Sequence, residues 1–127
     1  MEKLCARRNV LAVWLIFIAG ALSAQESPEK YIFAATNAAR VQQGMPPFIW
    51  DDSLAEAARA HAELMVTQPQ LSHQYPGENP LVARAAQAGA RFQSIAENIA
   101  MGPTVEILQH EWMNSTPHRT NILDPTL

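Results

Sequence analysis

The segment of residues 112–123 constrains the fold of this chain more than any other stretch. Pro117, near its middle, lacks a backbone N–H and clashes with the preceding helical turn, so it should end any helix that enters from residue 105. Proline also pushes Thr116, the residue before it, toward an extended conformation. We therefore expect His118 on a turn directly after a helix end, where side chains are often displayed for function.

A second informative segment covers residues 96–100 and places the carboxylate of Glu97 beside a short apolar run. We read residues 95–100 as extended and as a candidate strand. Our hypothesis is that Glu97, His118 and an earlier histidine, His73, converge on one site. Because His73 lies in a polar, proline-containing stretch outside any apolar periodicity, the alternative is a solvated loop histidine.

Helical patterns account for most of the remaining chain. Ser27 is a capping hydroxyl ahead of the first pattern, and Gly44 is the glycine that should end it. A second pattern follows the N-cap candidates at residues 51–53. The predicted helices run from about residue 28 to 43, from the second cap to about 66, from 80 to 88 and from 104 to 114.

Four side chains within these helices need an interpretation. His61 falls inside the apolar stripe of the second helix, and a histidine there is more often a buried, hydrogen-bonded core residue than a ligand. Asn37 and Arg40 are neighbours on the surface of the first helix, and we interpret them as a solvated pair. Arg84 is either a solvent-exposed charge or an anchor over the loop that carries His73.

The first 24 residues have the pattern of a secretory signal peptide, with an apolar run over residues 10–22 and a small-residue exit. A transmembrane anchor is the alternative, but an apolar run of about 13 residues is shorter than the ~18 that a spanning helix needs. We expect cleavage after residue 24, a mature domain at residues 25–127 and a secreted, periplasmic or extracellular location. The positive charges that precede the apolar run are Lys3, Arg7 and Arg8.

The composition of residues 25–127 excludes two classes of partner. Six Lys and Arg stand against eleven Asp and Glu, a formal net charge of −5. Phosphate backbones and anionic membrane surfaces are bound by clusters of basic residues, so we expect neither a nucleic-acid partner nor a polybasic membrane contact. The one cysteine, Cys5, lies in the predicted signal segment, so we expect no disulfide in the mature domain.

Short motifs taken in order resemble the CAP superfamily, also called SCP domains, which comprises cysteine-rich secretory proteins, antigen 5 and pathogenesis-related proteins. The short bacterial members are the most similar, and the resemblance spans about residues 29–123. The last motif departs from the usual Ser-Pro-Gly-His order. The motifs are Asn37-x-x-Arg40, Phe48-Ile49-Trp50-Asp51, Ser72-His73, Arg84 with Gly89, Glu97-Asn98-Ile99-Ala100, and Trp112-Met113 followed by Ser115-Thr116-Pro117-His118-Arg119 and Asn121-Ile122-Leu123.

The resemblance implies an α/β (α+β) fold, an α-β-α sandwich around a small antiparallel sheet. Family members normally continue past the last motif into two more strands, which residues 124–127 do not supply. We therefore expect a mostly helical version of the sandwich, with a C-terminally incomplete CAP domain at residues 25–127. An unpaired sheet edge would leave such a domain marginally stable.

The family cavity usually carries two histidines and two acids, and by resemblance His73, Glu97 and His118 fill three of these positions. The fourth falls on Ser115, which is no acid, so a full four-ligand site is not expected. Two imidazoles and a carboxylate nevertheless suit zinc or another divalent cation with open coordination positions.

By resemblance, the function is that of a non-enzymatic module that binds a small molecule, lipid or protein through the cleft of His73, Glu97, Ser115 and His118. Two alternatives stay open. One is a divalent-metal-dependent hydrolase that uses the same residues, and the other is an inactive truncated fragment. A nucleophilic Ser115 would need an oriented base and an oxyanion hole, which the sequence does not reveal.

Overall fold

A computed structural model describes residues 27–127, and the predicted signal segment lies outside these residues. The described part of the chain forms five helices joined by loops. Two long helices come first, a short one follows, and a consecutive pair closes the fold. The helices are α1 (Pro28–Gln42), α2 (Asp52–Met65), α3 (Leu81–Gln87), α4 (Val105–Asn114) and α5 (Thr116–Ile122).

The capping residues explain where the long helices begin. The Ser27 hydroxyl accepts a hydrogen bond from the backbone N–H of Lys30 at 3.3 Å, and Pro28 occupies the first turn of α1. Asp51 caps α2 in the same way, accepting from Leu54 N–H at 2.8 Å. These caps satisfy backbone donors that have no partner inside a helix, so local sequence fixes both starts.

The prediction of a turn at His118 is wrong. Pro117 does end α4, but the chain enters α5 at once instead of forming an open turn. The extended residue is Ser115, with φ −100° and ψ 119°, and Thr116 already belongs to α5. The physical reason is that proline in the first turn of a helix has no N–H to lose there and a preset φ.

The predicted α/β sandwich is also wrong, because residues 27–127 contain no strand and therefore no sheet. The candidate strand at residues 95–100 has side-chain partners instead of a neighbouring strand. Trp112 Nε1 donates to the carbonyl of Ile99 at 3.3 Å, and Asn121 Nδ2 donates to that of Glu97 at 3.4 Å. An extended segment becomes a strand only when a second segment completes its hydrogen-bond ladder.

The helices pack in two groups. α1 contacts α4 and α5, which also contact each other, and α2 contacts α3. Few apolar residues of the described part of the chain are buried; these are Met65, Tyr75, Ala85, Ala90 and Ile122. None of these helices combines the length and the hydropathy that crossing a bilayer would require.

Arg40 joins the two ends of the described fold, and its interpretation as a solvated residue is wrong. It is 1% exposed and donates to the carbonyls of Pro46 and Ile122 at 2.9 and 2.8 Å. It also donates to the carbonyl of Asp124 at 2.9 Å, and its guanidinium lies 3.8 Å from the Phe48 ring centroid. The side chain therefore fixes α1 to the segment that follows α5.

Candidate functional site

His73 and Glu97 meet at the surface of the protein. His73 Nδ1 lies 2.9 Å from Glu97 Oε1. The two side chains differ in exposure, since that of His73 is 61% exposed and that of Glu97 is 13% exposed. A largely buried carboxylate thus holds an imidazole that faces solvent.

Arg84 of α3 contacts this pair from the protein interior, and its side chain is only 9% exposed. One of its terminal nitrogens donates to both Glu97 oxygens, at 3.3 and 3.0 Å. The same nitrogen donates to the backbone carbonyl of His73 at 3.0 Å. Of the two readings of Arg84, the anchor of the loop that carries His73 is therefore the one that the structure supports.

Local sequence places Arg84 at this point. It lies in the last turn of α3, and the helix ends before Gly89, which adopts a φ of +98°. A residue with a side chain is strained in that conformation, so glycine permits the sharp exit. The exit sends the chain back toward residues 95–100, which carry Glu97.

The hydrogen bond to Glu97 determines which nitrogen of His73 is available. An ionised carboxylate only accepts hydrogen bonds, so Nδ1 of the imidazole must carry the proton that it donates. In the neutral ring this leaves the Nε2 lone pair free. The site can therefore present a hydrogen-bond acceptor, a general base or a metal ligand to a molecule that approaches from solvent.

His118 reaches this site through its backbone. Asn98 Nδ2 donates to the carbonyl of His118 at 3.0 Å, and Asn121 Nδ2 donates to Asn98 Oδ1 at 2.8 Å. The His118 ring lies beside Trp112, with 6.5 Å between the ring centroids. Ser115 occupies the junction of α4 and α5. The structure thus joins His73 to Glu97 directly, and links α5 to the Glu97 segment through Asn98.

The site does not have the arrangement of a metal centre. Among residues 27–127, no three His, Cys, Asp or Glu side chains lie close enough together to hold an ion. In addition, the Arg84 guanidinium binds both oxygens of Glu97, and a cation there would compete with it. Zinc at His73, Glu97 and His118 stays a prediction that this arrangement does not support.

A second polar cluster lies behind the site. His61 is buried, as predicted for a core histidine, with Nδ1 2.6 Å from Glu78 Oε1 and Nε2 3.1 Å from the carbonyl of Ser72. Arg84 Nε lies 3.5 Å from the same Glu78 oxygen and makes no hydrogen bond. Sequence reasoning missed Glu78, because no motif or periodicity singles out that residue.

Burial of Glu78 raises the pKa of its carboxyl, but other contacts outweigh it. The backbone N–H of Tyr75 donates to Oε2 at 2.9 Å, and His61 and Arg84 act on Oε1. Together these groups hold the pKa of Glu78 below its ordinary value of 4.5. The carboxyl group is therefore ionised at neutral pH.

Comparison with known proteins identifies relatives of this chain. The profile described as "CAP: Cysteine-rich secretory protein family" matches residues 33–127. Two of the similar proteins are from Bacillus subtilis (strain 168). The uncharacterized protein YkwD is 37% identical over 98 residues, which is 76% of this chain and 38% of YkwD. The uncharacterized membrane protein YlbC is 34% identical over 104 residues, which is 79% of this chain and 29% of YlbC.

The matches cover only part of these relatives. The chain spans less than two fifths of the length of each of these curated relatives. No solved structure matches the chain.

Proposed function

The chain belongs to the cysteine-rich secretory protein (CAP) family, and from this membership we propose that it is a secreted, non-enzymatic module that binds a ligand at His73. The observation that carries the proposal is the contrast within the His73–Glu97 pair. The imidazole is largely exposed, whereas the carboxylate and the guanidinium that orient it are largely buried. Functional side chains are typically held in place by buried supporting groups of this kind.

The geometry favours a ligand that donates a hydrogen bond. Glu97 accepts the hydrogen bond from His73 Nδ1–H, so Nε2 has no partner in this pair, and in the neutral ring it accepts a hydrogen bond. Alcohols, phenols and amines have suitable donors, and a hydroxylated lipid or a protein side chain can present the same group. The positive charge of Arg84 compensates the negative charge of Glu97. A neutral or an anionic ligand is therefore not repelled by a net negative charge beside the imidazole.

Secretion is the second part of the proposal. It is supported by the signal-like pattern of residues 1–24 and by membership of a family described as secretory. N-terminal sequencing of exported protein should begin at Gln25. A product that keeps residues 1–24 in the membrane, as an anchored protein would, contradicts this part of the proposal.

Binding is tested with a defined panel of probes. Short alcohols, phenols, primary amines and Zn²⁺ alone are titrated into the ¹⁵N-labelled chain while backbone amide signals are followed. We expect at least one donor-bearing probe to shift the signals of His73 and Glu97 and to lose this effect in His73→Gln. The matched control is His110→Gln, which changes an exposed histidine of α4.

The same titrations separate the alternatives. A response to Zn²⁺ that His118→Ala removes would support the three-ligand metal site. Ester hydrolysis that requires the ion and His73 would support a hydrolase. If no probe shifts His73, or if His73→Gln responds as the unmodified chain does, the binding proposal fails.

A further inference from the structure

His61 is buried among charged groups of two other elements. Its side chain is 2% exposed. Glu78 and Tyr75 approach it from the loop after α2, and the rings of His61 and Tyr75 lie 5.8 Å apart. Arg84 of α3 lies beyond Glu78. Together with Glu56 of α2, His61, Glu78 and Arg84 also line a groove of about 500 Å³ between α2 and α3.

Both ring nitrogens of His61 face atoms that accept hydrogen bonds. The partner of Nε2 is the backbone carbonyl of Ser72, which has no proton to give. The partner of Nδ1 is Glu78 Oε1, and an ionised carboxylate also only accepts. A neutral imidazole has one donor and one acceptor nitrogen, so it satisfies only one of these contacts. An imidazolium has two donors and satisfies both.

The charges of the buried row of His61, Glu78, Arg84 and Glu97 also balance when His61 is an imidazolium. Glu78 and Glu97 each carry a negative charge, and Arg84 carries a positive one between them. With a neutral His61, this buried row holds one uncompensated negative charge. With an imidazolium, the charges of His61, Glu78, Arg84 and Glu97 alternate in sign and sum to zero.

We infer that His61 is an imidazolium in the folded protein and that its proton determines how Arg84 is shared between Glu78 and Glu97. In this arrangement His61 Nδ1 donates a hydrogen bond to Glu78 Oε1 at 2.6 Å, while the nearby N–H of Arg84 Nε makes no hydrogen bond. A terminal nitrogen of Arg84 then donates to Glu97 and to the His73 carbonyl. His61 is thus a positioning residue.

Removal of the His61 proton should redistribute these contacts. A neutral ring gives up one of its two hydrogen bonds, and Arg84 Nε–H, 3.5 Å away, is the nearest donor that can serve Glu78 instead. A shift of the guanidinium toward Glu78 weakens its bonds to Glu97. The geometry of the His73–Glu97 pair therefore depends on pH through a residue that does not touch it, whether or not His73 binds a ligand.

The test is a pH series of nitrogen-detected NMR spectra of the histidine rings and of Arg84 Nε–H in the full chain, with His61 assigned through His61→Gln. At about pH 7, where a free imidazole of pKa ~6.5 is mostly neutral, we expect both His61 nitrogens to be protonated. A spectrum with one unprotonated His61 nitrogen at this pH overturns the inference.

The second readout follows Arg84 and Glu97. At the pH where His61 loses its proton, the Arg84 Nε–H and Glu97 carboxyl signals should shift with the same midpoint. Titration of His61 without these shifts overturns the sharing of Arg84. Glu78→Gln should remove the second proton from His61 at pH 7, whereas Glu63→Gln, at an exposed position of α2, should not. Equal behaviour of the two variants also contradicts the inference. If Glu78→Gln does not fold, the pH series of the unmodified chain decides the question.

Discussion

Arg40 and Arg84 are both buried guanidinium groups, but they bind different kinds of partner. The hydrogen bonds of Arg40 go to backbone carbonyls, those of Pro46, Ile122 and Asp124 among them. Arg84 binds the side-chain carboxylate of Glu97, lies close to that of Glu78, and contacts one carbonyl, that of His73. One arginine therefore holds chain segments together, whereas the other organises titratable side chains.

We propose that this difference separates the contacts that stabilise the chain from those that support the proposed binding site. Backbone carbonyls keep the same charge at every pH, so the contacts of Arg40 fix the chain path without regard to conditions. Carboxylates and imidazoles change their charge, so the contacts of Arg84 can respond to pH or to a ligand. Among the residues that Arg84 and Glu97 contact, His73 is the exposed one, which is why the proposed binding site lies on this side of the molecule.

Replacement of Arg40 by methionine should have the largest effect on stability. Hydrogen bonds to charged groups contribute ~1.5–3 kcal/mol each, and part of this is offset because a charge no longer has to be buried. We expect the free energy of unfolding in urea to fall by on the order of 4 kcal/mol. Arg91→Met, at an exposed position, is the control, and a similar loss in both variants would show that Arg40 is not special.

Replacement of Arg84 by methionine should destabilise the protein less and change the site more. In this variant Glu78 keeps its contacts with His61 and Tyr75, and Glu97 keeps its contact with His73. We therefore expect the free energy of unfolding to fall by about 2 kcal/mol, less than for a buried charge left without any partner. The measurement combines urea unfolding with the His73 ring signals. Unchanged His73 signals in Arg84→Met would contradict the assignment of Arg84 to the site.

The acid sensitivity of the protein should depend partly on Glu78. Its pKa is lowered in the folded state, so its contribution to stability is present above its ordinary value of 4.5 and is lost as pH falls through the lower folded value. Glu78→Gln should therefore lose less stability than the unmodified chain between about pH 7 and pH 3. Unfolding curves at both pH values test this, with Glu63→Gln as the control. Equal losses in Glu78→Gln and the unmodified chain would refute it.

The smallest effect is expected at a third arginine, which lies at the surface. Arg59 of α2 binds both oxygens of Glu29 of α1, at 2.7 and 3.0 Å, but both side chains are nearly half exposed. Solvent and salt screen such pairs. Arg59→Met should shift the urea midpoint less than either buried-arginine variant, and the shift should shrink in high salt. An effect as large as that of Arg84→Met would reverse the ranking.

Local signals in the sequence predicted much of this structure. Ser27 and Asp51 are helix caps whose chemistry acts within three residues, so the starts of α1 and α2 follow from them. The burial of His61 follows from its place in an apolar stripe. The family resemblance placed His73, Glu97 and His118 in one site, and the structure shows a direct side-chain contact between the first two.

The predictions that failed depend on contacts that are distant in sequence or on context. The carbonyl of Ile122 that accepts from Arg40 lies 82 residues away, and nothing near Arg40 indicates it. Residues 95–100 have an apolar, extended pattern, but a strand also needs a neighbour, and none exists in the part of the chain that the structure describes. Pro117 is compatible with a turn and with a helix start, and the packing of α5 on α1 and α4 favours the helix.

The tautomer of the His73 ring tests the proposed site most directly. Nitrogen-detected NMR at about pH 8, above the unperturbed imidazole pKa of ~6.5, reports which ring nitrogen carries the proton. The contact with Glu97 requires the proton on Nδ1 and leaves Nε2 unprotonated. We expect this tautomer in the folded chain and its loss in urea and in Glu97→Leu, whose side chain has no hydrogen-bond acceptor. A proton on Nε2, or signals that do not differ between the folded chain and urea, would contradict the account.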